Sequence, residues 1–294
     1  MTFSIVGRSP DGSALGVAVA SKFLAAGAYV PAAAADAGAV ATQAYANLSL
    51  RTRGLTLLRQ GLSAPELLAD FFEGDPQREE RQAGVVDARG GAATFTGKRV
   101  QPWAGGQIGE GPEGSFAAQG NMLAGSQVVD AMVKTWVGSD PAASLAQRLV
   151  GALGAGQEAG GDPRGKQAAA VLVVSAGAGY GGLSDVAVDL RSDDSPEPIG
   201  DLMRMLDLHE LYFGMTPESE LLAFDDRLLE ELRVRLASVG YASGDVSRDL
   251  YDWMGRENFE ERWYDDKVDP IVLQQLQKMS AHPLEMLRDH AREK

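Results

Sequence analysis

The chain has 294 residues, of which 45% are hydrophobic and 23% charged, as in water-soluble globular proteins with room for one large and one small domain. Its net charge of −14 argues against nonspecific binding to nucleic acids or anionic membranes. The absence of cysteine excludes disulfides, thiolate metal sites and a cysteine nucleophile. No apolar run is long enough to span a membrane and no signal-peptide pattern opens the chain, so we expect a cytoplasmic protein.

Histidine is rare and unevenly placed. The three histidines, His209, His282 and His290, all lie in the last third of the chain. This distribution excludes a Ser-His-Asp triad and a histidine-rich metal site from the first 200 residues, and we expect neither a metal nor another cofactor. If this part of the chain is catalytic, its base has to be Lys, Asp, Glu, Tyr or an amine.

The first 100 residues predict strand pairs on either side of a helix pair. TFSIVGR and LGVAVASKF alternate apolar with small or polar residues around the turn SPDGS, which predicts a β-hairpin. AYVPAAAA and GAVATQAY predict a second strand pair. Helices are predicted over residues 49–61 and after Ser63, an N-cap whose capping box Glu66 completes. QAGVVDARGGAATFTG predicts another hairpin.

The next 100 residues repeat this alternation. WAGGQIGEGPEG predicts a glycine-rich loop, and SFAAQGNM predicts a strand. SQVVDAMVKTW and DPAASLAQRLVGAL predict two helices, the second capped by Asp140 with Pro141 at its first position. QAAAVLVVS and DVAVDLRSDD predict two further strands, and PEPIGDLMRMLDLHELYFG a connecting helix. From about residue 216, long charged helices with Trp and Tyr indicate a second domain.

The order of these elements predicts the fold class. Paired strands separated by paired helices do not fit a βαβ winding, in which strands and helices alternate singly. Two stacked antiparallel sheets, each covered by helices, explain the order, and strands rich in Ala, Gly and Val suit burial on both faces. We therefore predict an α+β domain over residues 1–210 and a small helical domain over residues 216–294.

Three glycine patterns have the spacing of nucleotide-binding motifs without their context. GGDPRGKQ, residues 160–167, matches a P-loop, yet Gln167 stands where Ser or Thr belongs, and a strand follows instead of a helix. GEGPEG and GAGYGG fit G-x-G-x-x-G, but neither precedes a helical pattern. We interpret all three as loops.

The N-terminus holds the strongest catalytic candidate. Initiator methionine is usually removed before a small residue, which would make Thr2 the mature N-terminus. Its α-amine, with an ordinary pKa of about 7.7–8.0, can take the proton of its own hydroxyl. The hairpin places Thr2 near Ala20–Lys22, where Lys22 would lower the pKa of the amine and stabilise the alkoxide. The alternative is a frayed terminus with Lys22 as a solvated strand end.

Other polar residues lie at strand ends or before a strand. Gln43, Asn47, Gln119 and Asn121 have amides that could hold an oxyanion or orient a substrate, or could instead satisfy buried backbone groups. Asp162 and Arg164 could clamp a substrate carboxylate or simply fix their loop. Four aspartates further on are interpreted as a solvated edge: Asp185, Asp189, Asp193 and Asp194.

The element order, the initial Thr and the segment GVAVASKFLAAGAYV resemble the N-terminal nucleophile (Ntn) hydrolase superfamily. Over about residues 2–210 the chain also resembles the bacterial family called domain of unknown function 1028, through TFSIVGR, GVAVASKF, GAVATQAYAN, AAQGNMLAG and GYGGLSDVAVDLR. That family is grouped with the Ntn fold, so the resemblance implies a four-layer αββα sandwich. It supplies no substrate. Lys22 stands where proteasome β-subunits have an acidic residue.

The C-terminal part is similar to peptidoglycan-binding modules, through a GY after one helix, an aromatic stripe in a second and D-P-x-x-L opening a third. The alternative is that the stripe is core, formed by Leu232, Leu236, Tyr241, Leu250, Trp253 and Leu276.

The sequence thus leaves two functions open. One is an amidohydrolase in which Thr2 attacks an amide bond of a small molecule or peptide and Lys22 tunes the amine. The other is a noncatalytic ligand-binding protein on the same scaffold, with cell-wall fragments as one ligand class. In either case we expect a homo-oligomer, a dimer, that binds neither nucleic acid nor membranes.

Overall fold

A computed structural model describes residues 1–101 and 103–281, so His282 and His290 lie outside the described residues. The chain divides into two compact units, Met1–Leu206 and the residues from Asp207 onward. The boundary falls within one helix, Pro198–Phe213.

The N-terminal unit is built on two antiparallel sheets. Its strands are β1 (Thr2–Arg8), β2 (Ala14–Ser21), β3 (Pro31–Ala34), β4 (Gly38–Ala44), β5 (Arg81–Asp87), β6 (Ala92–Thr96), β7 (Ala104–Gly109), β8 (Phe116–Asn121), β9 (Ala168–Ser175) and β10 (Val186–Ser192). The first sheet has the order β10-β9-β2-β1-β8-β7, and the second has the order β3-β4-β5-β6. Every neighbouring pair is antiparallel, as the strand pairs in the sequence predict.

Six helices accompany these strands in the described part of the chain. They are α1 (Ala26–Tyr29), α2 (Ser49–Arg59), α3 (Ala64–Glu73), α4 (Gln127–Val137), α5 (Leu145–Glu158) and α6 (Pro198–Phe213). Short 3-10 turns occur at Arg78–Glu80 and Tyr180–Gly182. The predicted capping box of α3 is confirmed, with Ser63 and Glu66 each accepting from the other's backbone N–H.

Because side chains alternate between the two faces of each sheet, the core of this unit consists of three clusters. Val6 and Val17 of the first sheet pack with Val86 of the second, which fills the space between the sheets. Neighbouring residues such as Phe3 point the other way and pack with Trp136 of α4 and with α5. The third cluster joins the far face of the second sheet to α2 and α3 through Leu50, Leu67, Phe71 and Val85.

Two sequence predictions in this unit are wrong. The predicted loop WAGGQIGEGPEG contains β7, an edge strand whose backbone pairs with β8. Its residues are exposed or half-buried on both faces, so the sequence shows no apolar alternation there. The predicted helix from Asp140 begins later, at Leu145, where Ser144 and Gln147 form the capping box. Asp140 instead accepts from the Ala142 N–H, which closes a local turn.

The C-terminal unit is helical. It contains α7 (Asp226–Ser238), α8 (Val246–Arg256), α9 (Pro270–Ala281), the two-residue strands β11 (Leu222–Ala223) and β12 (Lys267–Val268), and 3-10 turns at Glu218–Glu220 and Glu260–Arg262. Its core holds the residues interpreted as core in the sequence, Leu232, Leu236, Leu250, Trp253 and Leu276, with Tyr241 packed against them.

Candidate functional site

The pairing of three strands places Thr2 between two polar residues. In the first sheet, Thr2 lies opposite Ser21 of β2 on one side and opposite Asn121 of β8 on the other. Thr2 and Ser4 share a strand face with Val6, which packs between the sheets. The row Ser21–Thr2–Asn121 therefore faces the second sheet, at one end of the interface between the two.

The Thr2 hydroxyl is held in a short hydrogen-bonded chain. Its Oγ1 lies 2.9 Å from Ser21 Oγ, and Ser21 Oγ donates to the Met1 carbonyl oxygen at 2.6 Å. A serine hydroxyl carries one proton, so the Thr2 hydroxyl is the donor in the first of these bonds. Thr2 is only 8% exposed and Ser21 3%. The hydroxyl of Thr2 is thus oriented and shielded from bulk water.

A loop residue pair, Asp162 and Arg164, holds the start of the chain. The buried Asp162 accepts from Arg164 Nε at 3.2 Å, from Arg164 Nη2 at 3.0 Å and from the Lys22 backbone N–H at 3.1 Å. Arg164 Nη2 also donates to the Met1 carbonyl at 3.3 Å. Burial first, and the Arg164 charge second, lower the pKa of the Met1 α-amine, while Asp162 acts in the opposite direction.

Four buried amides and a serine link the two sheets behind Thr2. Ser4 Oγ donates to Gln43 Oε1 at 2.7 Å, and Gln43 Nε2 donates to Gln82 Oε1 at 2.8 Å and to the Thr2 carbonyl at 3.4 Å. Asn121 Nδ2 donates to the same Gln82 oxygen at 2.9 Å. Gln119 Nε2 donates to Ser4 Oγ at 2.6 Å and to the Ser4 carbonyl at 3.2 Å. We call these five residues the amide ladder.

The amide ladder uses most of its donors internally. Both N–H groups of Gln119 have acceptors within it, and those of Gln43 donate to Gln82 and to the Thr2 carbonyl, which leaves none of the four for an oxyanion. Asn121 spends one N–H on Gln82, and its Oδ1 has no hydrogen-bond partner in residues 1–101 and 103–281. Of these three amides, Asn121, which lies opposite Thr2, retains capacity for a ligand.

The remaining two candidates, Asn47 and Lys22, have other partners. Asn47 Nδ2 donates to Asp75 Oδ2 at 3.0 Å and belongs to the buried ion pair of Asp75 with Arg81. The Lys22 side chain is exposed, and its Nζ donates to the Lys166 carbonyl at 3.3 Å. The described part of the chain shows no hydrogen bond between Lys22 and Thr2, and a role for Lys22 in tuning the amine stays a prediction.

Sequence reasoning missed Ser21, Ser4 and Gln82. Two of them carried a usable signal, because Ser4 shares a strand face with Thr2 and Ser21 precedes Lys22 within the segment predicted to pair with Thr2. Gln82 carried none, since its contacts depend on how the second sheet stacks on the first. The segment 160–167, set aside as a P-loop, runs into β9 as a loop and supplies the Asp162–Arg164 pair.

Among the described residues, no group of three or more His, Asp or Glu side chains is placed to hold a metal ion. None of the described helices combines the length and apolar character that a membrane crossing requires.

The C-terminal unit has a cavity of its own, of about 560 Å³. Met215, Tyr264 and Asp265 are among its lining residues, together with Glu218 and Lys267, whose side chains form an ion pair at 2.8 Å. The cavity therefore combines apolar, aromatic and charged surface.

Comparison with known proteins divides the chain in a similar way. Residues 212–276 match the family described as "Putative peptidoglycan binding domain". A crystal structure of a protein from Silicibacter pomeroyi, assigned to DUF1028, superposes with a TM-score of 0.63 at 30% identity and covers 74% of this chain and 90% of that chain. No curated protein matches. Residues 2–202 match the model described as a family of unknown function, DUF1028, and the chain therefore belongs to that family.

Proposed function

We propose that the N-terminal unit is a four-layer αββα sandwich of the N-terminal nucleophile hydrolase type, and that it hydrolyses an amide bond with Thr2 as nucleophile. Support for the layering comes from the three core clusters, which join helices, two sheets and helices in turn. The family itself has no assigned function, so the activity has to be argued from the site.

The chemistry requires removal of Met1, which converts the Thr2 nitrogen from an amide into an amine. The amine accepts the hydroxyl proton as Oγ1 bonds to the substrate carbonyl carbon. Collapse of the tetrahedral intermediate breaks the C–N bond, and the same proton passes to the departing amine. Water, deprotonated by the α-amine, then attacks the ester carbonyl on Thr2. The C–Oγ1 bond breaks, the α-ammonium returns its proton to Oγ1, and the carboxylic acid leaves. No cofactor takes part.

The observation that carries this proposal is the placement of the Thr2 hydroxyl. It is buried, donates to Ser21 Oγ at 2.9 Å and lies at the terminus that Arg164 contacts. A buried hydroxyl needs a hydrogen-bond partner in any role, so the distinguishing feature is the Arg164 guanidinium beside the same terminus. A positive charge close to a terminal amine also keeps a larger fraction of that amine neutral, which favours its action as a base.

Of two other candidate residues, Asn121 has a role in this mechanism and Lys22 has none. Asn121 retains an N–H opposite Thr2 and an Oδ1 with no partner among the described residues, and it is the amide assigned to orienting the substrate amide. Lys22 is left outside the reacting groups, because its ammonium is exposed and contacts Lys166. Arg164 supplies the positive charge at this terminus instead.

Intact-mass analysis followed by labelling tests the proposal. We expect the chain to lack Met1 and an acylating β-lactone probe to modify Thr2, with label found on the N-terminal peptide. Thr2→Val, which keeps shape and removes the hydroxyl, should abolish labelling and any hydrolysis in an amide screen. Thr52→Val, in α2, is the matched control. A retained Met1, or equal labelling of Thr2→Val, would refute the nucleophile.

A second function, binding of cell-wall fragments, is favoured for the C-terminal unit by the match over residues 212–276 and by its cavity. Co-sedimentation of the full chain with purified peptidoglycan tests it. Tyr264→Ala, at the cavity wall, should reduce the bound fraction, whereas Tyr251→Ala on the exposed face of α8 should not.

A further inference from the structure

The Met1 carbonyl oxygen receives two side-chain hydrogen bonds. Ser21 Oγ donates to it at 2.6 Å and Arg164 Nη2 at 3.3 Å. Both donors are held in place, since Ser21 is 3% exposed and Arg164 is fixed by two hydrogen bonds to the buried Asp162. Two preorganised donors, one of them charged, thus converge on a carbonyl joined directly to the Thr2 nitrogen.

Removal of Met1 takes this acceptor away. The buried Ser21 hydroxyl is then left without its acceptor, which favours another oxygen at the same place, and the Arg164 guanidinium, held by Asp162 but partly exposed, has a donor directed at that place as well. An acyl group on Thr2 Oγ1 and the Met1 acyl group on the Thr2 nitrogen are attached to one residue, two carbon atoms apart. The carbonyl oxygen of each can therefore reach the same donors.

We infer that the position of the Met1 carbonyl oxygen is the acyl-oxygen site of the mature chain, and that Ser21 and Arg164 donate to the carbonyl oxygen of the substrate. This inference rests on the proposed function and adds to it. Asn121 approaches Thr2 from the opposite strand, so Ser21 of β2, with Arg164 from the loop before β9, lies on one side of Thr2 and Asn121 of β8 lies on the other.

Met1 also indicates which acyl group fits. Its unbranched apolar side chain packs against the core cluster of α4 and α5, so the mature chain has apolar surface beside the acyl-oxygen site. The substrate class is therefore an amide of a linear apolar acyl group, about the size of a methionine side chain.

Hexanoate is the probe, because a carboxylate of that length reproduces the acyl part of the product. Calorimetry with the full chain, its Met1 shown by mass to be removed, should detect hexanoate binding and no binding of hexylammonium. Ser21→Ala and Arg164→Lys should each weaken the Kd by about 10- to 100-fold, the loss of one charge-assisted hydrogen bond. Arg191→Lys is the matched control, since Arg191 pairs with Asp189 at the same i, i+2 spacing on β10 and should leave the Kd unchanged.

Two further arms separate this inference from the proposed function. Thr2→Val should still bind hexanoate, because the acid needs no nucleophile. If it does and no hydrolysis is ever found, the acyl-oxygen site stands and the hydrolase fails. Chain that retains Met1, prepared with methionine aminopeptidase inhibited, should not bind. Equal binding with and without Met1, no binding by the processed chain, or unchanged Kd values in folded Ser21→Ala and Arg164→Lys would overturn the inference, even if hydrolysis is observed.

Discussion

A buried ion pair between Asp75 and Arg81 anchors the start of β5, and we expect Asp75→Asn to destabilise the N-terminal unit. Asp75 Oδ2 accepts from Arg81 Nε at 3.0 Å and from Asn47 Nδ2 at 3.0 Å, and Oδ1 accepts from the Gln77 N–H at 2.9 Å. The two charged side chains are 4% and 8% exposed. Removing the carboxylate charge leaves the guanidinium of Arg81 buried without its counterion.

Breaking a buried pair by removing one partner costs about 3–5 kcal/mol in the free energy of unfolding. Arg81 keeps its hydrogen bond to Gln77 Oε1, at 2.9 Å, so we expect the lower end, about 3 kcal/mol. Asp36→Asn is the matched control. Asp36 and Arg59 are 2.7 Å apart but 64% and 46% exposed, and such a pair contributes about 0–1 kcal/mol.

The contribution of the Asp75 carboxylate to the free energy of unfolding should decrease in acid. Hydrogen bonds from Arg81 above all lower the pKa of Asp75 from 3.8 to about 2. A carboxyl group whose pKa is lower in the folded than in the unfolded chain stabilises the folded chain. This stabilisation is complete at pH values above the pKa of the unfolded chain, and it is lost as the pH falls towards 2. Asp75→Asn has no such carboxyl. The difference in unfolding free energy between wild type and variant should therefore be constant from pH 7 to about 5 and narrow below 4.

Urea unfolding of the full chain, followed by circular dichroism at pH 7, 5 and 3, measures both effects. The transition of the N-terminal unit is identified by its larger m-value, because m grows with the surface exposed on unfolding. A cost for Asp75→Asn no larger than that for Asp36→Asn, or a difference that does not narrow in acid, would refute the reasoning.

Two more predictions use the same assay. Gly84→Ala would place its Cβ 2.0 Å from Gln119 Oε1, so it should push the amide ladder apart and cost about 1–3 kcal/mol. Gly151→Ala in α5, where a Cβ would have no neighbour within 4 Å, should be neutral or stabilise by up to about 1 kcal/mol, and equal effects of the two would contradict the steric argument. Arg262→Met should destabilise the C-terminal unit by about 3–5 kcal/mol, because Asp269, 0% exposed, loses the guanidinium that donates to it at 2.6 Å. A loss below 1 kcal/mol in the transition of smaller m would argue against this buried pair as a determinant of stability.

The sequence was sufficient for contacts that follow from a turn or from alternation. The SPDGS turn predicts the segment opposite Thr2, and the register bears this out with Ser21. What lies one residue further could not be predicted, because β2 ends at Ser21 and the chain bends there. Lys22 is thereby directed to the Lys166 carbonyl, on a loop distant in sequence.

Contacts between the sheets were beyond the sequence for a different reason. Gln43 and Gln82 lie side by side in register, but their link to Ser4, Gln119 and Asn121 depends on which strand of one sheet stacks on which strand of the other. Local spacing carries no information about that. The polar character of these positions was visible, whereas their partners were not.

Ser21 and Arg164 both donate to the Met1 carbonyl oxygen, so both proposals about Thr2 depend on the removal of Met1. While Met1 is attached, the Thr2 nitrogen is an amide, which has no basic lone pair to accept the hydroxyl proton. The Met1 carbonyl oxygen also accepts the hydrogen bonds of Ser21 and Arg164, so these donors are not available to a substrate. One cleavage therefore creates the base and frees the acyl-oxygen site together. Under the two proposals we therefore expect a chain that keeps Met1 to be inactive for both reasons, and restoring only one of the two conditions should not restore hydrolysis.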